Sequence, residues 1–197
     1  LVTGMSFYFG WMVTAWVAAV FGVFVCWFFR DPDRTVPEGS SNLVSPADGK
    51  VIIADRLATS QYLDGPCQKV SIFMNVFNVH VNRIPFDGVV EKVEYTPGKF
   101  INASFDKASI HNERNALTIK TPGGKRFVVV QIAGLVARRI VNHAAAGHRV
   151  IRGDRYGMIQ FGSRLDLYLP MEFQVQVRKG DKTLAGTTII GRMPDTP

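Results

Sequence analysis

Gly162-Ser163, within Phe161-Gly-Ser-Arg-Leu-Asp-Leu-Tyr-Leu-Pro170, could support a reaction of the chain on its own backbone. A serine hydroxyl is a weak nucleophile. It needs a base to take its proton and donors to hold the oxyanion it creates. The glycine before it has no side chain, so the backbone can strain and let the serine oxygen approach the preceding carbonyl. Attack there converts the amide into an ester. Elimination of the ester leaves dehydroalanine, and loss of ammonia gives a pyruvoyl group at a new N-terminus. Alone, Gly-Ser is also a common turn signal, so the reading depends on partners elsewhere in the chain.

Two partners suggest themselves. Asp48 sits in Ser45-Pro-Ala-Asp-Gly49, which also reads as a simple turn. His80 sits in Val79-His-Val-Asn-Arg-Ile-Pro85, where apolar neighbours equally suit a core histidine. Asn82 and Arg83 add polarity where a strand should be quiet, which favours function. His80 paired with Asp48 would serve as the base if the fold brings them together. Ile110-His-Asn-Glu-Arg-Asn115 is a loop or a phosphate-recognising cluster acting through Arg114, while His143 and His148 read as surface residues.

Two other classes fit parts of the pattern. A membrane-anchored serine hydrolase would use Ser-His-Asp, but the Gly-x-Ser-x-Gly elbow is missing. A non-catalytic lipoyl-like β module would suit the Asp-Gly turns, but no modifiable lysine has the expected neighbours. No Cys/His cluster has zinc-ligand spacing, so no metal is expected. Cys26 and Cys67 make no disulfide framework, which fits a reducing compartment.

The elements that must position these residues read mainly as strands. Val51–Ala54, Lys69–Met74, Gly88–Tyr95, Ala116–Lys120 and Arg126–Ile132 are rich in β-branched residues, and several alternate apolar and polar. Met158–Phe161, Arg164–Leu169 and Phe173–Val177 complete the set. The stretch from Ala133 to Ala146 is the best helix candidate and equally reads as strand and loop. Asp48-Gly49 and Asp87-Gly88 hint at a duplicated hairpin. The expected fold is mainly β, with antiparallel sheets packed face to face or partly closed and few short helices.

Met5 to Phe29 carries no charge. Its 25 residues, as a helix, span about 37 Å, enough for a hydrocarbon core of about 30 Å. Trp11, Trp16 and Trp27 are aromatic-belt candidates, and Arg30 and Arg34 place the following chain in the cytoplasm. The expected organisation is a membrane-anchoring segment with the start of a linker, residues 1–35, then a β-rich domain, 36–197. The net charge of +7 lies outside the anchor and suits an anionic membrane surface. Nucleic acid is not expected, since no basic run is interleaved with aromatics.

The chain resembles the phosphatidylserine decarboxylases, most closely the short bacterial and archaeal type. Phe29-Arg-Asp-Pro32, Ser45-Pro-Ala-Asp-Gly49, Asn78-Val-His-Val-Asn-Arg-Ile-Pro85, Tyr95-Thr-Pro-Gly98, Asn112-Glu-Arg-Asn115, Ile132-Ala-Gly-Leu-Val-Ala-Arg-Arg-Ile140 and Phe161-Gly-Ser163 carry the resemblance. It implies self-cleavage between Gly162 and Ser163 into a β chain, 1–162, and an α chain, 163–197, that stay associated. Ser163 would become the pyruvoyl cofactor, with no metal, and Asp48 matches the triad acid. Longer relatives carry two histidines before the proline that Pro85 matches. Here His80 fills the first position and Arg83 the second, so His80 serves both duties or shares them with another histidine such as His143. The implied reaction is decarboxylation of phosphatidylserine to phosphatidylethanolamine, with Arg83 and Arg114 as substrate-binding candidates. The implied location is the inner face of the cell membrane, with a homodimer left open. Arg138 and Arg139 are candidates for contact with lipid.

Overall fold

The computed structural model describes residues 2–104, 108–135, 139–160 and 162–193. It divides into two units, Leu1–Pro32 and Asp33–Pro197. The first unit is helix α1, Val2–Phe28. Its apolar residues leave no polar face, and Trp11, Trp16, Val20 and Phe21 are all exposed. A helix apolar all round belongs in an apolar medium. Tyr8–Phe28 is long and apolar enough to cross a membrane, which suggests membrane association.

The second unit is β-rich, as its alternating segments predict. One sheet has eight strands in the order β13-β2-β3-β11-β7-β6-β5-β9. These are β2 (Gly49–Leu57), β3 (Cys67–Met74), β5 (Gly88–Thr96), β6 (Arg114–Lys120), β7 (Arg126–Ile132), β9 (Arg149–Val150), β11 (Ser163–Pro170) and β13 (Lys182–Thr183). A second sheet orders β1 (Asn42–Val44), β14 (Ile189–Arg192) and β12 (Gln174–Val175) as β1-β14-β12. A third orders β4 (Val81–Arg83), β10 (Arg155–Ile159) and β8 (Ile140–Asn142) as β4-β10-β8. The strand pairs are antiparallel. The main core lies between the large sheet and the small ones, joining Val51, Ile72, Leu117 and Leu167 to Leu43, Ile159 and Ile190. A smaller core on the other face of the large sheet gathers Cys67, Val128, Val130 and Tyr168. The helix α2, Ala108–His111, lies beside that smaller core.

The two Asp-Gly turns are not hairpin tips. Each opens a long strand after the chain crosses from a small sheet, β1 into β2 and β4 into β5. They nevertheless mark an internal duplication. Gly49 and Gly88 each press against a carbonyl of the neighbouring strand, Phe73 and Lys120, where a methyl would clash. The register slips at matching places, between Val51 and Ile53 and between Val90 and Lys92. Two later segments brace the two halves alike. Ala185 N donates to Asp48 Oδ1 and Arg152 N to Asp87 Oδ1, both at 2.7 Å. Gly186 N donates to Ser45 O and Gly153 N to Ile84 O, both at 2.8 Å. Both glycines have positive φ.

Of the two readings of Ala133 to Ala146, the structure takes strand and loop and not helix. Among the segment's described residues, Ile140–Asn142 is strand β8, paired with β10, and the remainder is loop. The β-branched Ile140 and Val141 favour a strand, and the alanine run ends at Gly147 with φ +87°. Arg138 and Phe161 lie outside the described residues.

Candidate active site

Ser163 is the first residue of β11, fully buried and paired with Met74 at the end of β3. Alternation along β11 puts Leu165, Leu167 and Leu169 in the main core, so Ser163 faces that side too. Its Oγ lies 3.9 Å from Met74 Sδ. Gly162 has φ +67°, the left-handed region. A Cβ there would meet nothing within 4 Å. Glycine is therefore favoured at 162 by conformation, not by space.

The loop 75–80 carries the chain from Met74 to His80. Asn75 and Asn78 staple it: Asn75 N donates to Asn78 Oδ1 and Phe77 N to Asn75 Oδ1, both at 2.9 Å. The Asn78 carbonyl then lies 2.9 Å from His80 Nδ1. A nitrogen bonded to a carbonyl carries the hydrogen, so neutral His80 keeps its lone pair on Nε2, the form a general base needs. His80 is fully buried.

Asp48 reaches the same end of the sheet from the other flank of β3. Gly49 packs on the Phe73 carbonyl while Ser163 pairs with Met74. Two strand spacings, about 10 Å, therefore separate the Asp48-Gly49 turn from Ser163. Val44 N bonds Pro85 O, and Arg83 N bonds Pro46 O, so the two site segments run antiparallel. Asp48 lies two residues beyond the Pro46 carbonyl, at the turn that opens β2. The Asp48 carboxylate accepts from Ala185 N at 2.7 Å and from Arg34 Nη2 at 3.0 Å.

The two candidate binding arginines sit differently. Arg83 is buried, with Nη1 donating to Gly153 O at 2.9 Å and its stem against Gly186. Arg114 Nη1 donates to Ile110 O at 2.8 Å. His143 follows β8 and is exposed, whereas Ile140 at the other end of that strand pairs with Ile159, whose amide bonds His80 O. Three residues of strand, about 10 Å, thus set His143 off from the level of His80. Arg139 precedes β8, and its carbonyl accepts from Gln160 N. Among the described residues no group of three or more His, Cys, Asp or Glu gathers as a metal site.

Several neighbours have partners that the sequence did not show. Asn82, Gln131 and Asn115 form a buried amide chain. Asn115 Nδ2 donates to Gln131 Oε1 at 3.2 Å, and Gln131 Nε2 to Asn82 Oδ1 at 2.9 Å. Asn82 Nδ2 ends the chain 3.7 Å from Met74 Sδ, the sulfur beside Ser163. On the opposite face of β11, Arg164 Nε donates to Asp166 Oδ1 at 2.6 Å, and Lys69 Nζ lies 3.2 Å from Asp166 Oδ2. Ser109 Oγ donates to the same Oδ2 at 2.8 Å. Burial pushes the Asp166 carboxyl up, but Arg164 and Lys69 outweigh it and hold it below the usual carboxylate range. Only the pattern of two polar residues alternating with leucines signalled this network in the sequence.

A buried serine follows a left-handed glycine and opens a strand of an antiparallel sheet. A nucleophile elbow between strand and helix is a different geometry. The family model for phosphatidylserine decarboxylase matches residues 21–191. A phosphatidylserine decarboxylase proenzyme of Syntrophus aciditrophicus (strain SB) is 53% identical over 169 residues, covering 86% of this chain and 79% of the relative. One from Burkholderia mallei (strain SAVP1) is 51% identical over 183 residues, covering 93% and 84%. One from Neisseria gonorrhoeae is 48% identical over 186 residues, covering 94% and 70%. The chain belongs to the phosphatidylserine decarboxylase family.

Proposed function

We propose that this chain is a proenzyme that cuts itself between Gly162 and Ser163 and then removes the carboxylate of phosphatidylserine as CO2, leaving phosphatidylethanolamine. Membership of the family supports the reaction. The observation that carries the self-cleavage is Ser163, buried at the head of β11 directly behind Gly162 at φ +67°.

In the first step Ser163 Oγ bonds to the Gly162 carbonyl carbon and the Gly162–Ser163 C–N bond breaks. The hydroxyl proton passes through His80 to the released Ser163 amine. Removal of the Ser163 Cα proton then breaks the Cβ–O bond, giving a Gly162 carboxylate and dehydroalanine. Water adds to the derived imine and ammonia leaves. His80 Nε2 is our proton carrier for these transfers. Asp48 is our candidate to favour the imidazolium formed in transit.

The site suits a pyruvoyl group. Strand β11 stays bound between β3 and β7 whether or not the bond before it is cut, so the new terminus remains beside Met74 and Asn82. Once formed, the group supplies an electron sink for the pair left when CO2 departs. His80 returns a proton to the substrate carbon, and Arg83 and Arg114 are the candidates to meet its anionic headgroup. The α and β chains of one precursor stay associated. The anchor keeps the domain at the inner face of the cell membrane, where its positive charge meets anionic lipid.

The test is CO2 release from carboxyl-labelled phosphatidylserine in mixed micelles. Wild type releases label, and Ser163→Ala does not. Label released by Ser163→Ala at the wild-type rate would sink the reading. His80→Ala should slow self-cleavage, decarboxylation or both. Wild-type rates of both would move its role to another histidine.

A further inference from the structure

We infer that Gly134 is the shelf on which the Gly162 carbonyl rests during self-cleavage, and that Asn112 holds this shelf in place. The inference deepens the self-cleavage reading and rests on it. Strands β7 and β11 pair with Ile132 opposite Arg164, and the same register carries Gly134 opposite Gly162. A methyl group on Gly134 would overlap the Gly162 carbonyl oxygen and lie 2.9 Å from its carbon. Backbone this close to backbone requires glycine for space. The two glycines therefore have separate duties. Gly162 turns the carbonyl, and Gly134 makes room for it.

Asn112 fixes the shelf. It is fully buried, and its Nδ2 donates to Ala133 O and to Ile101 O, both at 2.7 Å. Its Oδ1 accepts from Ile101 N at 3.1 Å. Ala133 N bonds Glu113 O at 3.0 Å, so the residue before Gly134 is tied on both sides. Ala103, on the segment that Asn112 gathers through Ile101, closes the space beside Gly134, its Cβ 3.5 Å from the position of an added methyl.

The geometry bears on the attack itself. When Ser163 Oγ bonds to the carbonyl carbon, the oxygen gains charge and swings as the carbon becomes tetrahedral. A fixed shelf limits that swing to one direction, and the weakly polar Cα–H groups of Gly134 face the charge that develops. Displacing a reacting group by about 1 Å costs on the order of 100-fold in rate. Gly134 and Asn112 are positioning residues, since neither exchanges a proton or a bond with Ser163.

The test follows intact mass under denaturing conditions for full-length wild type, Gly134→Ala and Asn112→Ser, alongside thermal melts. Hydroxylamine is added to a portion of each, because it cleaves esters far faster than amides. Gly134→Ala should melt as a folded protein, stay whole at a rate down by on the order of 100-fold, and resist hydroxylamine, which places the block before the ester. Cleavage of Gly134→Ala at the wild-type rate would overturn the shelf and leave the self-cleavage reading standing. A hydroxylamine-sensitive, uncut Gly134→Ala chain would also overturn it, because the attack would then have succeeded. A wild-type chain that never splits would remove the reading and the shelf together. Should Gly134→Ala fail to fold, Asn112→Ser decides, with about tenfold slower cleavage expected and a wild-type rate overturning the proposal.

Discussion

Asp48 and Asp87 make the same bond to a backbone amide, yet only Asp48 opens the strand that flanks β3, the strand with which Ser163 pairs. The shared bond is architectural, bracing a crossover between sheets. The ion pair with Arg34 belongs to Asp48. An asparagine keeps an oxygen for the amide and loses the charge. Asp87→Asn should therefore split like wild type. Asp48→Asn should fold but slow self-cleavage by at least tenfold, on the order of 1.4 kcal/mol of barrier, read as the half-time of the mass change. At Gly162 the backbone angle makes a graded prediction. Asn tolerates the left-handed region, whereas β-branched Val is strained by roughly 1–2 kcal/mol, so Gly162→Asn should split faster than Gly162→Val. Ser163, His80 and Asp48 stand out in the sequence as candidates because each sits in a short polar motif against apolar neighbours. Gly134 does not, because a glycine required for space looks like any other until its neighbour is known.

At the scale of the element, β11 carries different chemistry on its two faces. The alternation of Leu165, Leu167 and Leu169 with polar residues marks a strand, and alternation of this kind usually leaves one face to water. The structure instead buries Arg164 and Asp166 completely, with Ser109 of α2 closing over the carboxylate. No local signal shows that a distant segment will cover a strand. A buried pair broken at one partner costs about 3–5 kcal/mol, so Asp166→Asn should lower the urea midpoint sharply at neutral pH. Asp166 has a folded pKa below its unfolded value of about 3.9. Its contribution is then complete above that unfolded value and fades as pH falls toward the folded one. Wild type should lose stability on acidification through and below about pH 4, and Asp166→Asn should lose less over the same range. Equal slopes in the two proteins would remove the network from the account. Residues 133–146, open in the sequence to helix or to strand and loop, are strand and loop among the described residues. Alanines and alternating apolar residues suit a helix, but β8 gains an antiparallel partner in β10, and pairing overrides propensity.

At the scale of the molecule, the large sheet is entered by two related crossovers, one into β2 and one into β5. The sequence carried one trace of this in the two Asp-Gly turns. The bracing segments that begin at Gly147 and Gly180 share too few residues for recognition without the structure. The apolar helix was fully legible, since length and absence of charge are enough. A chain starting at Asp33 retains the whole β-rich unit and should fold. In flotation with anionic vesicles, high salt should release the shortened chain and not the full one, because surface charge is screened and burial of the helix is not. Release of both at the same salt concentration would count against membrane anchoring by the helix. The most direct test of the central claim is the intact mass of freshly purified full-length protein under denaturing conditions. Two chains should appear, with the 163–197 fragment lighter than its serine-started sequence by conversion of that serine to a pyruvoyl end. A single mass for all 197 residues that persists through incubation would contradict the account.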